Sequence, residues 1–235
     1  MMKIEIWSDF VCPFCYIGKR RLEIALDHFS NKHAVDVSFR SFELDRNAAP
    51  YSGKSIHEML AEKYGMSIED AIKANQGVAE QADSIGLTFQ FENMKPTNTF
   101  DAHRLAKYAK SQEKEGELTE KLLSAYFTES KNVGDVETLT NIATSVGLDK
   151  GTVVEILDNK SSFADDVRAD EELAKEYGVS GVPFFLIDEK YAINGAQPLE
   201  NFIGALEKIW EEEHNKPKIR DLSLTKGNAC SDDSC

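Results

Sequence analysis

Two cysteines near the start of the chain, Cys12 and Cys15, are the residues best suited to carry out chemistry. They are separated only by Pro13 and Phe14 and follow directly after an apolar run. This spacing lets the second thiol displace a substrate that is held as a mixed disulfide on the first, which is the second step of thiol–disulfide exchange. The same spacing also suits half of a tetrahedral zinc site. The pair therefore indicates either redox chemistry or metal binding.

The other possible ligands in the chain favour the redox interpretation. A zinc site needs about four ligands, and the only further cysteines are two at the far C-terminus. The histidines show no ligand-like spacing; they are His28, His33, His57, His103 and His214. A zinc-binding, chaperone-like protein that uses its helical region as an interaction surface stays an alternative.

The segments on either side of the pair predict how it is held. Residues Lys3–Trp7 alternate polar and apolar side chains, which predicts a short strand with one buried face. Apolar residues then recur at helical spacing, namely Ile17, Leu22, Leu26 and Phe29. Cys12 therefore lies where a strand gives way to a helix, and the free N–H groups and dipole of a helix start stabilise a thiolate. We expect Cys12 to be the exposed nucleophile and Cys15 to be the deeper, resolving thiol.

The rest of the chain predicts one sheet interrupted by helices. A second alternating run, Val35–Phe42, predicts a strand parallel to the first, reached by a right-handed crossover. Helical patterns then dominate, with a capping box at Ser55 and a helix start at Asp135. The predicted helices cover residues 55–64, 68–85, 98–113, 117–130, 135–146, 150–159 and 162–177. Residues Leu87–Phe91 fit a brief strand or a loop.

Strand patterns return late in the chain. Residues Pro183–Ile187 and Tyr191–Ile193 are separated by a short turn, which predicts a β-hairpin, and a last helix starts near Pro198. The sheet is therefore completed from two distant parts of the chain, so the expected class is α/β with an all-helical insertion. The predicted divisions are residues 1–50 and 179–214 for the sheet domain, 51–178 for the insertion, and 215–235 for a tail.

Three motifs together resemble a known family. A Cys-x-x-Cys pair after the first strand, with Val182 and Pro183 opening the third strand after a helical insertion, resembles the thioredoxin fold in its DsbA-like form. The matching stretches are Trp7–Gly18, Asn98–Leu105 and Gly181–Phe185, which resemble FrnE-type proteins of the DsbA family. The resemblance implies a cis Val182–Pro183 bond that faces the thiols. It also implies that these two residues line a substrate groove, with Pro13 and Phe14 setting local contacts.

The resemblance implies a thiol–disulfide oxidoreductase or isomerase. Its substrates would be protein or small thiols and disulfides, with glutathione or thioredoxin as an electron partner, and no cofactor is required because the cysteines carry the electrons. Related isomerases of 2-hydroxychromene-2-carboxylate and kappa-class glutathione transferases lack the first thiol and act through glutathione. A glutathione-dependent isomerase or transferase of a small aromatic compound therefore stays open. Asn98 and His103 could border the cleft, although a capping Asn and a structural His are the favoured interpretation.

The tail carries the second cysteine pair, Cys230 and Cys235. Its polar composition is typical of a segment that does not build a core. The pair is incidental, completes a zinc site with Cys12 and Cys15, or is an accessory redox pair. A subset of FrnE-type proteins is similar in carrying such a pair, which favours the accessory redox role.

Charge and hydropathy limit the possible partners. The 27 Lys and Arg against 41 Asp and Glu give a net charge of −14, which argues against nucleic acid and anionic membrane surfaces as partners. Neither a signal-peptide pattern nor a long apolar stretch is evident in the sequence. We therefore expect a cytoplasmic protein, in which close thiols serve redox or metal chemistry more often than structural disulfides.

Overall fold

The structure, a computed structural model, describes residues 1–214 apart from the side chain of His214. Within these residues the strands are β1 (Met2–Ser8), β2 (Val35–Ser41), β3 (Phe184–Ile187) and β4 (Tyr191–Asn194). The helices are α1 (Pro13–His28), α2 (Ile56–Tyr64), α3 (Ile68–Asp83), α4 (Phe100–Ser111), α5 (Glu115–Phe127), α6 (Val136–Ser145), α7 (Lys150–Asp158), α8 (Ala164–Glu176) and α9 (Leu199–His214). Two short 3-10 helices cover Lys32–Ala34 and Phe91–Asn93.

The four strands form one mixed sheet in the order β2-β1-β3-β4. β1 runs parallel to β2 and antiparallel to β3, and β3 pairs antiparallel with β4. The predicted parallel crossover and the predicted hairpin are both confirmed. The hairpin turn uses Asp188 and Glu189 at φ of 50° and 56°, the left-handed geometry that suits tight hairpins.

All seven helices predicted between residues 55 and 177 are present, as is the last helix. The capping box at the start of α2 is formed by Ser55 and Glu58, and Asp135 accepts a hydrogen bond from the Thr138 N–H at the start of α6. Residues 87–90 are a loop, which leads into the 3-10 helix that starts at Phe91. None of the helices within residues 1–214 has both the length and the apolar composition required to cross a bilayer.

Both faces of the sheet are covered. On one face α1 and α9 pack over an apolar cluster that includes Ile4, Ile6, Leu22, Phe185, Phe202 and Leu206. On the other face α8 covers Trp7, which is 0% exposed, and Trp7 Nε1 donates to the Asp170 carbonyl at 2.9 Å. Glu5 on this face is also buried and accepts hydrogen bonds from Arg40. The prediction of one buried face for β1 was therefore wrong, because α8 packs over Trp7 and Arg40 of β2 pairs with Glu5.

Carboxylates from the helical region cap the free edge of β2 and its continuation. The Phe39 N–H donates to Glu115 at 3.1 Å, and the Ser41 N–H donates to Asp170 at 2.7 Å. Two residues further on, the Glu43 N–H donates to Glu171 at 3.1 Å. An unpaired sheet edge exposes such N–H groups to other chains, so these contacts both close the edge and attach the helices to the sheet.

The helical region has its own apolar core, formed mainly by α4 to α7 together with the loop around residue 89. Phe10, Tyr16 and Ile17 from the β1–α1 segment also belong to this core. The segment that carries the cysteines therefore lies between the apolar core of the sheet and the apolar core of the helical region. The division at residues 50/51 and 178/179 stays a prediction.

Candidate active site

The two cysteines lie at the turn between β1 and α1. Cys12 is the N-cap residue of α1, with extended φ and ψ of −92° and 112°, and Pro13 occupies the first helical position. The Cys12 N–H donates to the Asp9 carbonyl at 3.2 Å, and the Cys15 N–H donates to the Cys12 carbonyl at 3.1 Å. The predicted position of Cys12 is confirmed. Its sulfur makes no cap bond to the helix.

Cys15 lies beneath Cys12 in the first turn of α1. It is 1% exposed and is a free thiol, as is Cys12. The pKa of the Cys15 thiol is raised well above its usual value, first because burial disfavours the thiolate and then because of its hydrogen bond and charge interaction with Cys12. The Asp9 backbone and the Ser8 side chain act in the opposite direction. At neutral pH Cys15 is therefore a protonated thiol.

The Val182–Pro183 peptide bond is cis and lies against the thiols, as the family resemblance implied. The Cys12 thiol donates to the Val182 carbonyl oxygen, with 3.6 Å between Sγ and O. Cys12 is 4% exposed, so the prediction of an exposed nucleophile was wrong. The Val182 segment and the walls of the adjoining groove cover it, which sequence spacing does not reveal.

A groove of about 660 Å³ adjoins the thiols, and Cys12 is among the residues that line it. Its lining is mostly apolar and comes from the loop after β2, from α2 and α3, and from the segment around Phe91. This volume lies within the range of about 300–1,000 Å³ that is usual for ligand sites. The groove therefore gives access to the otherwise covered sulfur.

Of the four residues predicted to contact substrate, three line the groove and one does not. Pro13, Phe14 and Val182 line the groove, and Phe14 is exposed at its rim. Pro183 is buried and is not among the residues that line the groove, so its contact with a substrate stays a prediction. It packs instead against α1, where a Cβ atom on Gly18 would lie 3.0 Å from its Cγ.

Gly18 is a residue that the sequence analysis left without a role. Besides the contact with Pro183, a Cβ atom at this position would lie 3.0 Å from the ring of Phe185. Such a distance is tighter than most Cβ contacts in proteins, and both neighbours, which would have to shift by a few tenths of an ångström, are buried. The absence of a side chain therefore lets α1 approach β3 closely enough to bring Cys12 to Val182. The sequence did contain a signal for this role, since a glycine in the middle of a helix lowers helix stability and therefore calls for a packing reason.

Asp9 is a second residue without an assigned role in the sequence analysis. Its carboxylate is 1% exposed, accepts the Leu44 N–H at 2.8 Å and lies 3.3 Å from His103 Nε2. His103 is itself buried, which agrees with the structural interpretation. Asn98 accepts the Phe100 N–H at 2.9 Å at the start of α4, also as favoured. Asp9 borders the groove, whereas His103 and Asn98 do not.

A charged cluster on α1 ties the helix to α5. Glu120 accepts hydrogen bonds from Tyr16 at 2.7 Å, from Lys19 at 2.5 Å and from Arg20 at 2.9 Å. The pKa of Tyr16 is raised by burial and then by Glu120, whereas the pKa of Glu120 is lowered by the two cations in spite of burial. These contacts hold the helix directly behind the thiols.

No cluster of three or more His, Cys, Asp or Glu side chains that could hold a metal ion occurs within residues 1–214. The second cysteine pair, Cys230 and Cys235, lies outside the described residues.

Comparison with known proteins agrees with this geometry. Residues 3–207 match the family described as "DSBA-like thioredoxin domain". The crystal structure of a probable DsbA oxidoreductase from Streptomyces coelicolor is similar with a TM-score of 0.86 and 38% sequence identity, over 100% of this chain and 98% of its own. The uncharacterized protein YwbO of Bacillus subtilis is 28% identical over 214 residues, which are 91% of this chain and 98% of YwbO.

A 2-hydroxychromene-2-carboxylate isomerase has a similar structure, with a TM-score of 0.68 over 91% of this chain and 98% of its own. At 15% identity this similarity concerns the fold alone.

The close approach of α1 to β3 predicts opposite effects for two glycine substitutions. Gly18→Ala should lower the free energy of unfolding by about 1–3 kcal/mol, because the added methyl group overpacks a buried contact. Gly204→Ala in α9, where an added Cβ meets nothing within 4 Å, should raise it by about 0.5–1 kcal/mol. Urea unfolding of both reduced variants measures the difference. Equal stabilisation by the two substitutions would contradict a role for Gly18 in helix approach.

Proposed function

The chain belongs to the DSBA-like thioredoxin domain family, and from that premise we propose that it is a thiol–disulfide oxidoreductase that uses Cys12 and Cys15. One observation carries the proposal. The pair lies at the start of α1, against the cis Val182–Pro183 bond and at the edge of an apolar groove. Free, closely spaced thiols at a substrate-sized groove suit disulfide exchange.

In the first step the Cys12 thiolate attacks one sulfur of a substrate disulfide that has entered the groove. A bond forms between Cys12 Sγ and that sulfur, and the other substrate sulfur leaves as a thiolate. The exposed face of Cys12 is small, so the substrate has to present its disulfide on an extended chain or at a terminus.

In the second step Cys15 loses its proton to solvent and attacks Cys12 Sγ. The Cys12–Cys15 disulfide forms, and the second substrate sulfur leaves as a thiolate. The substrate has gained two electrons, and the protein has lost two. The same steps in reverse oxidise a dithiol substrate.

The surroundings of the two thiols support this division of roles. The raised pKa of Cys15 keeps it protonated at neutral pH, and a protonated thiol is a poor nucleophile. Cys15 is also farther from the groove, which Cys12 lines and Cys15 does not. Cys12 is therefore the attacking residue in this proposal.

The reduced pair is restored by a low-molecular-weight thiol such as glutathione or by a thioredoxin, in the cytoplasm that the sequence predicts. Both partners supply the two electrons that the cycle consumes.

Single substitutions of the two cysteines should separate their roles. In the reduction of insulin by dithiothreitol, Cys12→Ser should lower the rate to the uncatalysed background because the nucleophile is lost. Cys15→Ser should turn over more slowly, because only dithiothreitol can then release the substrate from Cys12, but without dithiothreitol each prereduced chain should still react once with a disulfide. Thiol release per prereduced chain, measured without dithiothreitol, distinguishes the two cases, and the unfolding midpoint of each variant serves as the control for folding.

Retained turnover in Cys12→Ser would rule out this mechanism. The glutathione-dependent isomerase alternative predicts a different result, namely saturable glutathione binding and an activity that survives the loss of Cys15.

We further propose that Cys230 and Cys235 form an accessory pair that exchanges electrons with Cys12 and Cys15. The end of α9 lies beside the end of α1, since Trp210 and Phe29 are in contact at 5.6 Å between ring centroids. Trp210 therefore lies about one length of α1 from Cys12, roughly 24 Å for a helix of 16 residues. A chain of 16 residues, the number from Asn215 to Cys230, has a maximum reach of about 55 Å, so its length allows a tail cysteine to meet Cys12.

The accessory role predicts an internal cross-link. In Cys15→Ser with an oxidised tail pair, Cys12 should attack the tail disulfide and remain bonded to Cys230 or Cys235. Peptide mapping identifies the bond, and its rate of formation should not depend on protein concentration because the reaction is intramolecular. Cys15→Ser with both tail cysteines replaced by Ser is the control. A cross-link that forms only between chains, or none at all, would contradict the proposal.

A further inference from the structure

A second cleft, of about 570 Å³, lies between α1, β2 and α5, and neither Cys12 nor Cys15 lines it. Its volume is within the range of about 300–1,000 Å³ that is usual for binding sites. The floor of this cleft is apolar and consists of Ile6, Leu22, Leu26, Val37 and Phe39. The last three are only half-buried, so part of the apolar surface of the sheet stays uncovered by the described chain.

The edge of β2 is open at the floor of this cleft. The Phe39 and Ser41 N–H groups point away from β1 and donate to carboxylates of the helical region. Because N–H groups alternate in direction along a strand, the Val37 N–H points the same way. Among residues 1–214 it has no such carboxylate partner. An unpaired edge group of this kind is where an extended segment can add to a sheet.

The sequence that follows α9 has the composition that this cleft requires. Residues 215–226 read Asn-Lys-Pro-Lys-Ile-Arg-Asp-Leu-Ser-Leu-Thr-Lys and carry a net charge of +3, in a chain whose net charge is −14. Leu222 and Leu224 alternate with polar residues. The cleft is lined by three acids and two bases, a net charge of −1. Two of these acids, Glu23 and Glu117, have side chains that are 45% and 58% exposed.

The end of α9 is close enough for this segment to enter the cleft. Trp210 of α9 contacts Phe29 at the end of α1, with 5.6 Å between ring centroids. Leu26, three residues before Phe29, lines the cleft. The five residues that follow His214 reach Ile219 and span up to about 17 Å when extended. This exceeds the diameter of a helix, which is about 10–12 Å, so the chain can pass the end of α1.

We propose that residues 219–224 of this chain bind in the cleft between α1, β2 and α5. Leu222 and Leu224 cover its apolar floor, and a backbone carbonyl of the segment accepts the Val37 N–H. The basic residues of the segment lie against the acids of the rim. The proposal goes beyond the disulfide chemistry, because it assigns an internal binding site to a surface that carries no thiol.

Such docking would also direct the end of the chain along α1. The helix rises about 15 Å between Cys12 and Leu22. The six residues from the docked Leu224 to Cys230 span up to about 20 Å. The cleft therefore fixes the tail at a point from which its first cysteine can reach the start of α1.

Amide hydrogen exchange of the reduced full chain, followed by NMR, tests the contact at Val37. In the double variant Leu222→Ser, Leu224→Ser, the Val37 amide should exchange about tenfold faster, which corresponds to a loss of about 1.4 kcal/mol of protection. The Phe39 amide, which donates to Glu115, should keep its rate and serves as the internal reference. The double variant Ser231→Ala, Ser234→Ala is the matched control and should change neither amide.

Photo-cross-linking locates the segment. With p-benzoylphenylalanine in place of Leu222 in the full chain, irradiation should join this position to the lining of the cleft in the same chain, as shown by peptide mapping. Gly116 and Gly77 are both exposed helix residues at which an added Cβ meets nothing within 4 Å, but only Gly116 lines the cleft. Gly116→Arg should therefore obstruct the cleft and repel the basic segment, which lowers the yield, whereas Gly77→Arg should preserve it.

The outcomes distinguish this site from its alternatives. An unchanged Val37 exchange rate, adducts outside the cleft, or equal yields in the two arginine variants would each overturn the docking site. Adducts that join two chains would assign the cleft to the tail of a second copy and overturn binding within one chain. Neither measurement uses the thiols, so failure here leaves the proposed disulfide chemistry standing, and failure of that chemistry leaves these results unchanged.

Discussion

The buried carboxylate of Asp9 is the contact on which the geometry of the site depends. The backbone carbonyl of Asp9 also accepts the Cys12 N–H, so this residue fixes the turn that presents the thiols. Its side chain accepts the Leu44 N–H from the chain after β2 and lies against His103 of α4. One residue therefore connects the thiol-bearing turn, the loop that forms part of the groove and the helical region. A carboxylate with 1% exposure requires such partners, because an unpaired buried charge is strongly unfavourable.

Buried charges on the face of the sheet that α8 covers are paired in the same way. Arg40 is paired with Glu5 at 2.9 Å and with Asp170 at 2.8 Å, and Lys107 also contacts Asp170. The loss of one member of such a network leaves a buried charge without a partner, which typically lowers stability by about 3–5 kcal/mol. These ion pairs therefore fix the position of the helical region on the sheet, so the groove between them keeps its shape.

The local patterns of the sequence predicted the elements well because each element is encoded by its own residues. The alternation in β1 and β2, the capping box at Ser55 and the turn before Tyr191 are all local signals, and the structure contains the elements they predict. The start of α1 at Pro13 follows from proline at the first helical position. The cis Val182–Pro183 bond, by contrast, was available only through family resemblance, since a cis bond is uncommon before proline.

Features that depend on contacts between distant residues could not be derived in this way. The low exposure of Cys12 depends on Val182, which is 170 residues away in sequence. The burial of Glu5 depends on Arg40, and the role of Gly18 depends on the packing of Pro183. The groove likewise requires α2 and α3 to lie beside the β1–α1 turn. Periodicity reports which face of an element is apolar, but it does not report what covers that face.

The central claim is that Cys12 attacks a substrate disulfide from within this groove. The most direct measurement uses a variant in which Cys15, Cys230 and Cys235 are all replaced by serine, so that Cys12 is the only thiol. After incubation with an unfolded, disulfide-bonded polypeptide, mass spectrometry of the native and the urea-denatured variant gives the amount of mixed disulfide in each. The account predicts that the folded variant accumulates a mixed disulfide at Cys12 faster than the denatured one. A folded variant that forms none, while the denatured chain reacts, would show that the fold protects this sulfur instead of presenting it.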